Sequence, residues 1–212
     1  CVMSIVTYNN RSIANISAVP GAAKSLTHIK TLTASSSATL TFLNGSSDVV
    51  FDSTYPIYRF VYTSMHPSAQ RIFSFQATTD GTNYNTSLTS TAFGAYNAES
   101  GSDDSGANNF PAAGANTGSD QANGTAFQYL MSFGSNISDN DAAFSGELIM
   151  FNPSSTTFVK HWMSDLNFYG GSNYSQRSQH AGYFNTTSAI TGVQFKMLDD
   201  GNIDSGTIKL YG

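Results

Sequence analysis

Val193-Gln-Phe-Lys-Met-Leu198, Asp199-Asp-Gly-Asn202 and Gly206-Thr-Ile-Lys-Leu-Tyr-Gly212 close the chain and carry one pattern twice. In an extended backbone successive side chains point to opposite faces, so Val193, Phe195 and Met197 share one side and Gln194 and Lys196 the other. Beyond the turn, Ile208 and Leu210 alternate with Thr207, Lys209 and Tyr211. Period-two alternation on both sides of a Gly-containing turn predicts a half-buried β-hairpin.

The same grammar extends outward through most of the chain. Candidate strands cover Thr27–Thr33, Thr39–Leu43, Ile57–Thr63, Arg71–Ala77, Tyr84–Tyr96, Phe127–Phe133, Phe144–Phe151, Thr157–Met163, Ser178–Phe184, Val193–Leu198 and Thr207–Tyr211. Leu40 and Phe42 share a face, as do Tyr58, Phe60 and Tyr62 with Arg59 opposite. Thr157–Met163 is apolar on both sides (Phe158 and Trp162, Val159 and Met163), which suits a central or interfacial strand. Asn44-Gly45, Asp80-Gly81 and Asp200-Gly201 offer positive-φ positions for tight turns. Residues 97–125 are Ser, Gly, Asn, Asp and Ala around a lone Phe110-Pro111, a loop long enough to be functional or mobile. Residues 1–25 show neither strand nor helix period and read as an arm on another surface or a leader. The expected fold is all-β: a single antiparallel two-sheet β-sandwich of jelly-roll type over residues 26–212, with an irregular N-terminal arm.

Composition narrows the partners. The chain has 212 residues, enough for a full core without disulfides or metals. Charged residues are 11% of it, against about a quarter in an average protein, and aromatics stand at 13%. Few charges leave little electrostatic barrier to self-association. A net charge of −5 with nine Lys and Arg argues against nucleic acid, which needs cations to neutralise phosphate. No stretch is apolar enough to span a bilayer as a helix, so no membrane partner is expected. Cys1 is the single cysteine, so no intrachain disulfide forms, and Cys1-Val2 reads as a processing remnant before Met3 in preference to a lipidated residue.

Catalytic and metal chemistry are hard to find in this sequence. Gly-x-Ser-x-Gly does not occur, and no two of His28, His66, His161 and His180 have zinc-ligand spacing. His66 before Pro67 reads as a turn residue, and His161 as a satisfied, half-buried imidazole. Glycosidases use paired carboxylates. Glu147 and Asp165 are the acids placed to face a groove, although isolated solvated acids are the plainer reading. Asp139-Asn-Asp141 and the run Asp199 to Asp204 resemble fragments of calcium loops, but Phe144 stands where an EF-hand requires Gly. No catalytic, cofactor-binding or metal residue is therefore expected. Asn-x-Ser/Thr triplets recur at eight positions, as they do by chance in a chain so rich in these residues. Tyr84, Tyr169 and Tyr174 read as packing lids or subunit contacts ahead of sugar platforms.

A resemblance adds to this. Asn9-Asn-Arg-Ser-Ile13, Ile29-Lys-Thr-Leu-Thr-Ala-Ser-Ser-Ser37, Asp52-Ser-Thr-Tyr55, Tyr62 and His66-Pro67 belong to one ordered set of blocks. The set continues with Asp80-Gly-Thr-Asn-Tyr84, Gly146-Glu-Leu148, Phe151 to His161, Ala181 to Ile190 and Gly201 to Gly212. Together they resemble a family of small virion-associated structural proteins, fibre- or decoration-like, of marine tailed bacteriophages. Residues 97–125 are least alike. The resemblance implies a non-enzymatic protein on the virion exterior, attached through its arm (Tyr8, Asn9, Asn10, Arg11, Ser12) to capsid or tail proteins. It implies sister copies as partners, in a homotrimer or other symmetric oligomer. Asn97, Phe110, Asn116, Asp120, Tyr169 and Tyr174 are the candidate receptor-facing residues. The alternative is a tail-fibre module that binds a host surface glycan and mediates adsorption.

Overall fold

The structure is a computed structural model that describes residues 26–101, the backbone of 110–111, and residues 119–131, 137, 140–170 and 173–212. The arm lies outside them. The described residues form twelve strands: β1 (His28–Thr33), β2 (Leu40–Leu43), β3 (Ile57–Pro67), β4 (Phe73–Thr78), β5 (Leu88–Ala98) and β6 (Phe110–Pro111) come first. Then follow β7 (Gln128–Tyr129), β8 (Phe144–Phe151), β9 (Lys160–Gly170), β10 (Tyr174–Phe184), β11 (Gly192–Met197) and β12 (Ile203–Tyr211). They build two antiparallel sheets. The large one runs β1-β12-β3-β8-β9-β10-β5-β6 and the small one β2-β11-β4-β7.

The pairing is nested. First strand pairs with last (β1·β12), then β2 with β11, β3 with β8 and β4 with β7. The nested pairs alternate between the sheets, and β12·β3 and β11·β4 join them side by side. This corrects the hairpin expected at the C-terminus. β11 and β12 follow each other in sequence but lie in different sheets and do not pair. Alternation reports which face of a strand is buried, and says nothing about which strand lies beside it. The connection is a corner in which Asp199 and Asp200 take positive φ (53° and 58°) and Gly201 N donates to Leu198 O at 3.2 Å. At Asn44-Gly45 and Asp80-Gly81 the glycine itself takes that conformation, as expected.

The two sheets meet through aromatic rings. Phe195 of β11 lies within 5.4–6.3 Å of Phe42, Phe60, Tyr62, Phe73 and Phe75, all buried. Further along, Phe73 meets Phe144 at 4.7 Å and Phe75 meets Trp162 at 4.9 Å. Trp162 fits because β10 carries Gly182 opposite it: a Cβ there would lie 2.7 Å from the indole and 2.5 Å from Thr89 O. Gly206 (φ 111°) sits at the bulge between β12 and β3, where a side chain would strike the backbone of Ser64 and Met65.

The apolar strand expected at Thr157–Met163 begins later, at Lys160, and runs on to Gly170. It is central, between β8 and β10. Trp162 is buried as expected for an inner position, whereas Phe158 precedes the strand and is 72% exposed. The strand expected from Tyr84 starts at Leu88, and that expected at Phe127–Phe133 shrinks to Gln128–Tyr129 among the described residues. Residues 97–125 are less irregular than their composition suggests. Phe110–Pro111 pair with Phe93 and Gly94, and Gly124 exchanges backbone hydrogen bonds with Leu88 (2.8 and 2.9 Å), so the middle and the far end of the segment lie along the outer edge of β5.

A ring touching five others at the meeting of two sheets has no means of relaxing around a cavity. Phe195→Ala is expected to lower unfolding free energy by about 3–5 kcal/mol in urea titrations. Phe158→Ala, at an exposed site, is expected to change it by less than about 0.5 kcal/mol.

Candidate functional site

The inner faces are used up by the core, which leaves the outer face of the large sheet and the ends of its strands. On β9 the even-numbered residues from Lys160 to Gly170 are buried, so His161, Met163, Asp165 and Asn167 point outward. Register places Glu147 of β8 beside Asp165, and Asp165 beside Gln179 of β10, which in turn pairs with Phe93 of β5. One row across the face therefore reads Glu147–Asp165–Gln179–Phe93. The adjacent row reads Ile149–Met163–Ala181. Together they line a shallow groove of about 350 Å³. Phe93 and Met163 are 54% and 53% exposed within it.

Like charges directly opposite on a sheet repel, and this pair is neutralised from both sides. Arg59 of β3 donates from Nε to Glu147 Oε2 at 3.0 Å and from Nη2 to the same oxygen. Arg177 of β10 donates from Nε to Asp165 Oδ1 at 2.9 Å and from Nη2 to Oδ2, and Gln179 Nε2 adds a bond to Oδ2 at 3.1 Å. Hydrogen bonds from Arg177 hold the Asp165 carboxyl below the usual range, against the opposing pull of partial burial. The two acids read as isolated in the sequence are thus brought together. Retaining glycosidases hold two carboxyl groups about 5 Å apart; here it is the Cβ atoms of the two acids that have about that spacing, as cross-strand partners. A glycosidase also needs one acid kept protonated at working pH. Asp165 is pulled the other way, so its carboxylate is suited to accepting hydrogen bonds.

Three of the other candidates gather at one end of the same sheet. Tyr174 opens β10 and meets Tyr96 of β5 edge-on at 5.5 Å. Tyr169, near the end of β9, donates its hydroxyl to Asn173 Oδ1 at 2.5 Å, and Glu99 N donates to Asn173 O at 2.9 Å. Asn97 is exposed and registers with Ser175. Asn97, Tyr169 and Tyr174 therefore share one tip, joined by Tyr96, which the sequence did not single out. Phe110 registers with Gly94 on the outer edge of β5. Asp120 lies away from the tip, next to Gln121, whose N–H donates to Ser90 Oγ near the start of β5. Tyr8, Asn9, Asn10, Arg11, Ser12 and Asn116 lie outside the described residues.

The opposite end of the sheet is where the chain enters it. Thr27 and Gly212 exchange backbone hydrogen bonds (2.9 and 3.0 Å) there. Leu26, Tyr55, Ile57, Ile149 and Phe151 line a groove of about 530 Å³ beside them. Leu26 and Ile57 are among the exposed large apolar side chains. β9 separates this base from the tip by ten residue steps, about 33 Å.

Two histidines differ from the sequence reading, and one lysine stands where the sequence makes no prediction. His161 is exposed on the outer face, its ring 6.0 Å from that of Tyr183, and is not half-buried. His66 is in β3, its Nδ1 2.6 Å from Ala142 O, and not in a turn. Lys160 is buried, with Nζ donating to Thr186 O at 3.2 Å, and desolvation lowers its pKa. Neither Lys160 nor the buried His180 carries a local sequence signal, since an inner position on a strand can be filled by any residue the facing layer tolerates.

Among the described residues no three His, Cys, Asp or Glu side chains cluster as a metal site. No protein-family model, curated protein or solved structure matches the chain.

His180 generates a pH prediction. Both ring nitrogens are buried without a hydrogen-bond partner, between Ser164 of β9 and Ala92 of β5, neither of them charged. Burial pushes its pKa from 6.5 down to about 4. In that window the unfolded chain binds a proton that the folded chain refuses. Stability should therefore fall as pH drops from about 6.5 towards 4, by up to about 3 kcal/mol. Urea midpoints across this range measure it, and His180→Leu is expected to flatten the slope.

Proposed function

We propose that the chain is a non-enzymatic structural protein of a phage particle, displayed on the particle exterior as a head decoration or fibre. In this reading the two sheets form a β-sandwich of jelly-roll type. The support is the nested order β1·β12, β2·β11, β3·β8, β4·β7, whose successive pairs alternate between sheets as the pairs of a rolled hairpin would. Jelly rolls of two Greek keys recur in viral capsid and lectin domains, an analogy of fold that leaves the function to the surface. The strands β9, β10, β5 and β6 are an addition that widens one sheet.

The observation that carries the reading is the polarity of the large sheet. The described chain enters at Leu26–Thr27 at one end, and Tyr96, Tyr169, Tyr174 and Asn97 stand at the other. An arm at the base and polar aromatics at the tip suit a part that docks by residues 1–25 and projects its far end. The resemblance to virion structural proteins points the same way. Sister copies would associate as a symmetric oligomer through the base, where Leu26 and Ile57 expose apolar surface. A second reading, an adsorption module that binds host glycan, is favoured by the tyrosines of the tip, since such rings combine an apolar face with a hydroxyl.

Removing residues 1–25 tests the reading. The shortened chain is expected to unfold with the same urea midpoint as the full chain and to be missing from purified particles. A folded, shortened chain that incorporates at the normal level would contradict it.

A further inference from the structure

We infer that the groove on the outer face of the large sheet binds a neutral saccharide, with Phe93 as the platform for a sugar ring and the Glu147–Asp165–Gln179 row as its hydrogen-bond acceptors. The inference rests on the groove's own residues and holds whether or not the chain belongs to a particle. Four charges meet here and cancel: Arg59 with Glu147, Arg177 with Asp165. The groove thus offers acceptors without net charge, which gives a cation or an anion no advantage over a neutral donor. Acceptor capacity remains. Both bonds from Arg59 go to Oε2 of Glu147, and Gln179 uses its Nε2, so among the described residues Glu147 Oε1 and Gln179 Oε1 have no partner. A carboxylate has about four acceptor sites, so Asp165 also has room beyond its three donors.

The apolar half completes the match. Phe93 stands beside Gln179, and Met163 and Ile149 floor the next row, so a pyranose could lay its C–H face on the ring and turn its hydroxyls to the acids. A volume of about 350 Å³ suits one or two sugar rings. A second copy is a poorer occupant, because burying both ion pairs in a dry interface would cost their hydration. A peptide strand is poorer again, because the site lies on the face of the sheet and its edge at β5 is already covered.

The test is titration of the full chain, labelled with carbon-13 at its methionine methyls, with maltose, lactose and N,N′-diacetylchitobiose. Glucosamine and glucuronate serve as the cationic and anionic controls. At least one neutral disaccharide should shift the Met163 signal saturably. Phe93→Ala and Gln179→Ala, both exposed and expected to stay folded, should each weaken that binding about tenfold. The inference is overturned if no neutral sugar moves Met163 near its solubility limit, if either variant binds as tightly as the parent, or if a charged control binds better. A Met163 shift that follows protein concentration without sugar would also overturn it, and would assign the face to a second copy.

Discussion

Phe195 is the constraint around which the molecule is built. It projects from the middle of the small sheet into rings of both sheets, and each such contact adds about 0.5–1.5 kcal/mol beyond the area it buries. To place that ring, β11 must lie between β2 and β4 while β12, after a five-residue connection, crosses to the other sheet. The Asp199–Asp200 corner makes the crossing possible, with Arg71 Nε donating to Asp199 O at 3.1 Å to hold it. Nested pairing follows from this. Once the last two strands part company, their partners β1 and β2 must part as well.

Committing the inner faces to an aromatic core determines what the surface can do. The large sheet is twice as wide as the small one, eight strands against four. At the β7 edge of the small sheet amides take over from rings: Gln128 accepts from Ser90 Oγ of β5 at 2.6 Å, and Gln76 of β4 donates to the carbonyls of Thr125 and Ala126 in the segment leading to β7. The outer side stays open, so the widened sheet presents a broad face, a base and a tip. The charge pairs on that face keep Glu147 and Asp165 side by side without mutual repulsion deciding the register.

Much of this was legible in the residues, for a physical reason. A half-buried strand must alternate, so Leu40 and Phe42, Tyr58, Phe60 and Tyr62, and Val193, Phe195 and Met197 disclosed their buried faces. Partners were not legible, because pairing is decided by the three-dimensional order of strands, and the expected β11–β12 hairpin is the clearest case. Nor was the meeting of Glu147 and Asp165. They are 18 positions apart in sequence, and only the β8·β9 register makes them neighbours. Glutamines at 76, 121 and 128 looked like ordinary polar residues, and their role in ordering part of the 97–125 segment and its flank appears only in hydrogen bonds to backbone groups.

In the proposed reading the base of the large sheet faces a particle and its tip faces outward. The direct measurement is gold labelling of intact purified particles with two antibodies, one raised against the tip around residues 169–174 and one against residues 3–25. The tip antibody is expected to label intact particles, and the arm antibody to label them only after disruption. Label from the arm antibody on intact particles, or none from the tip antibody, would contradict it.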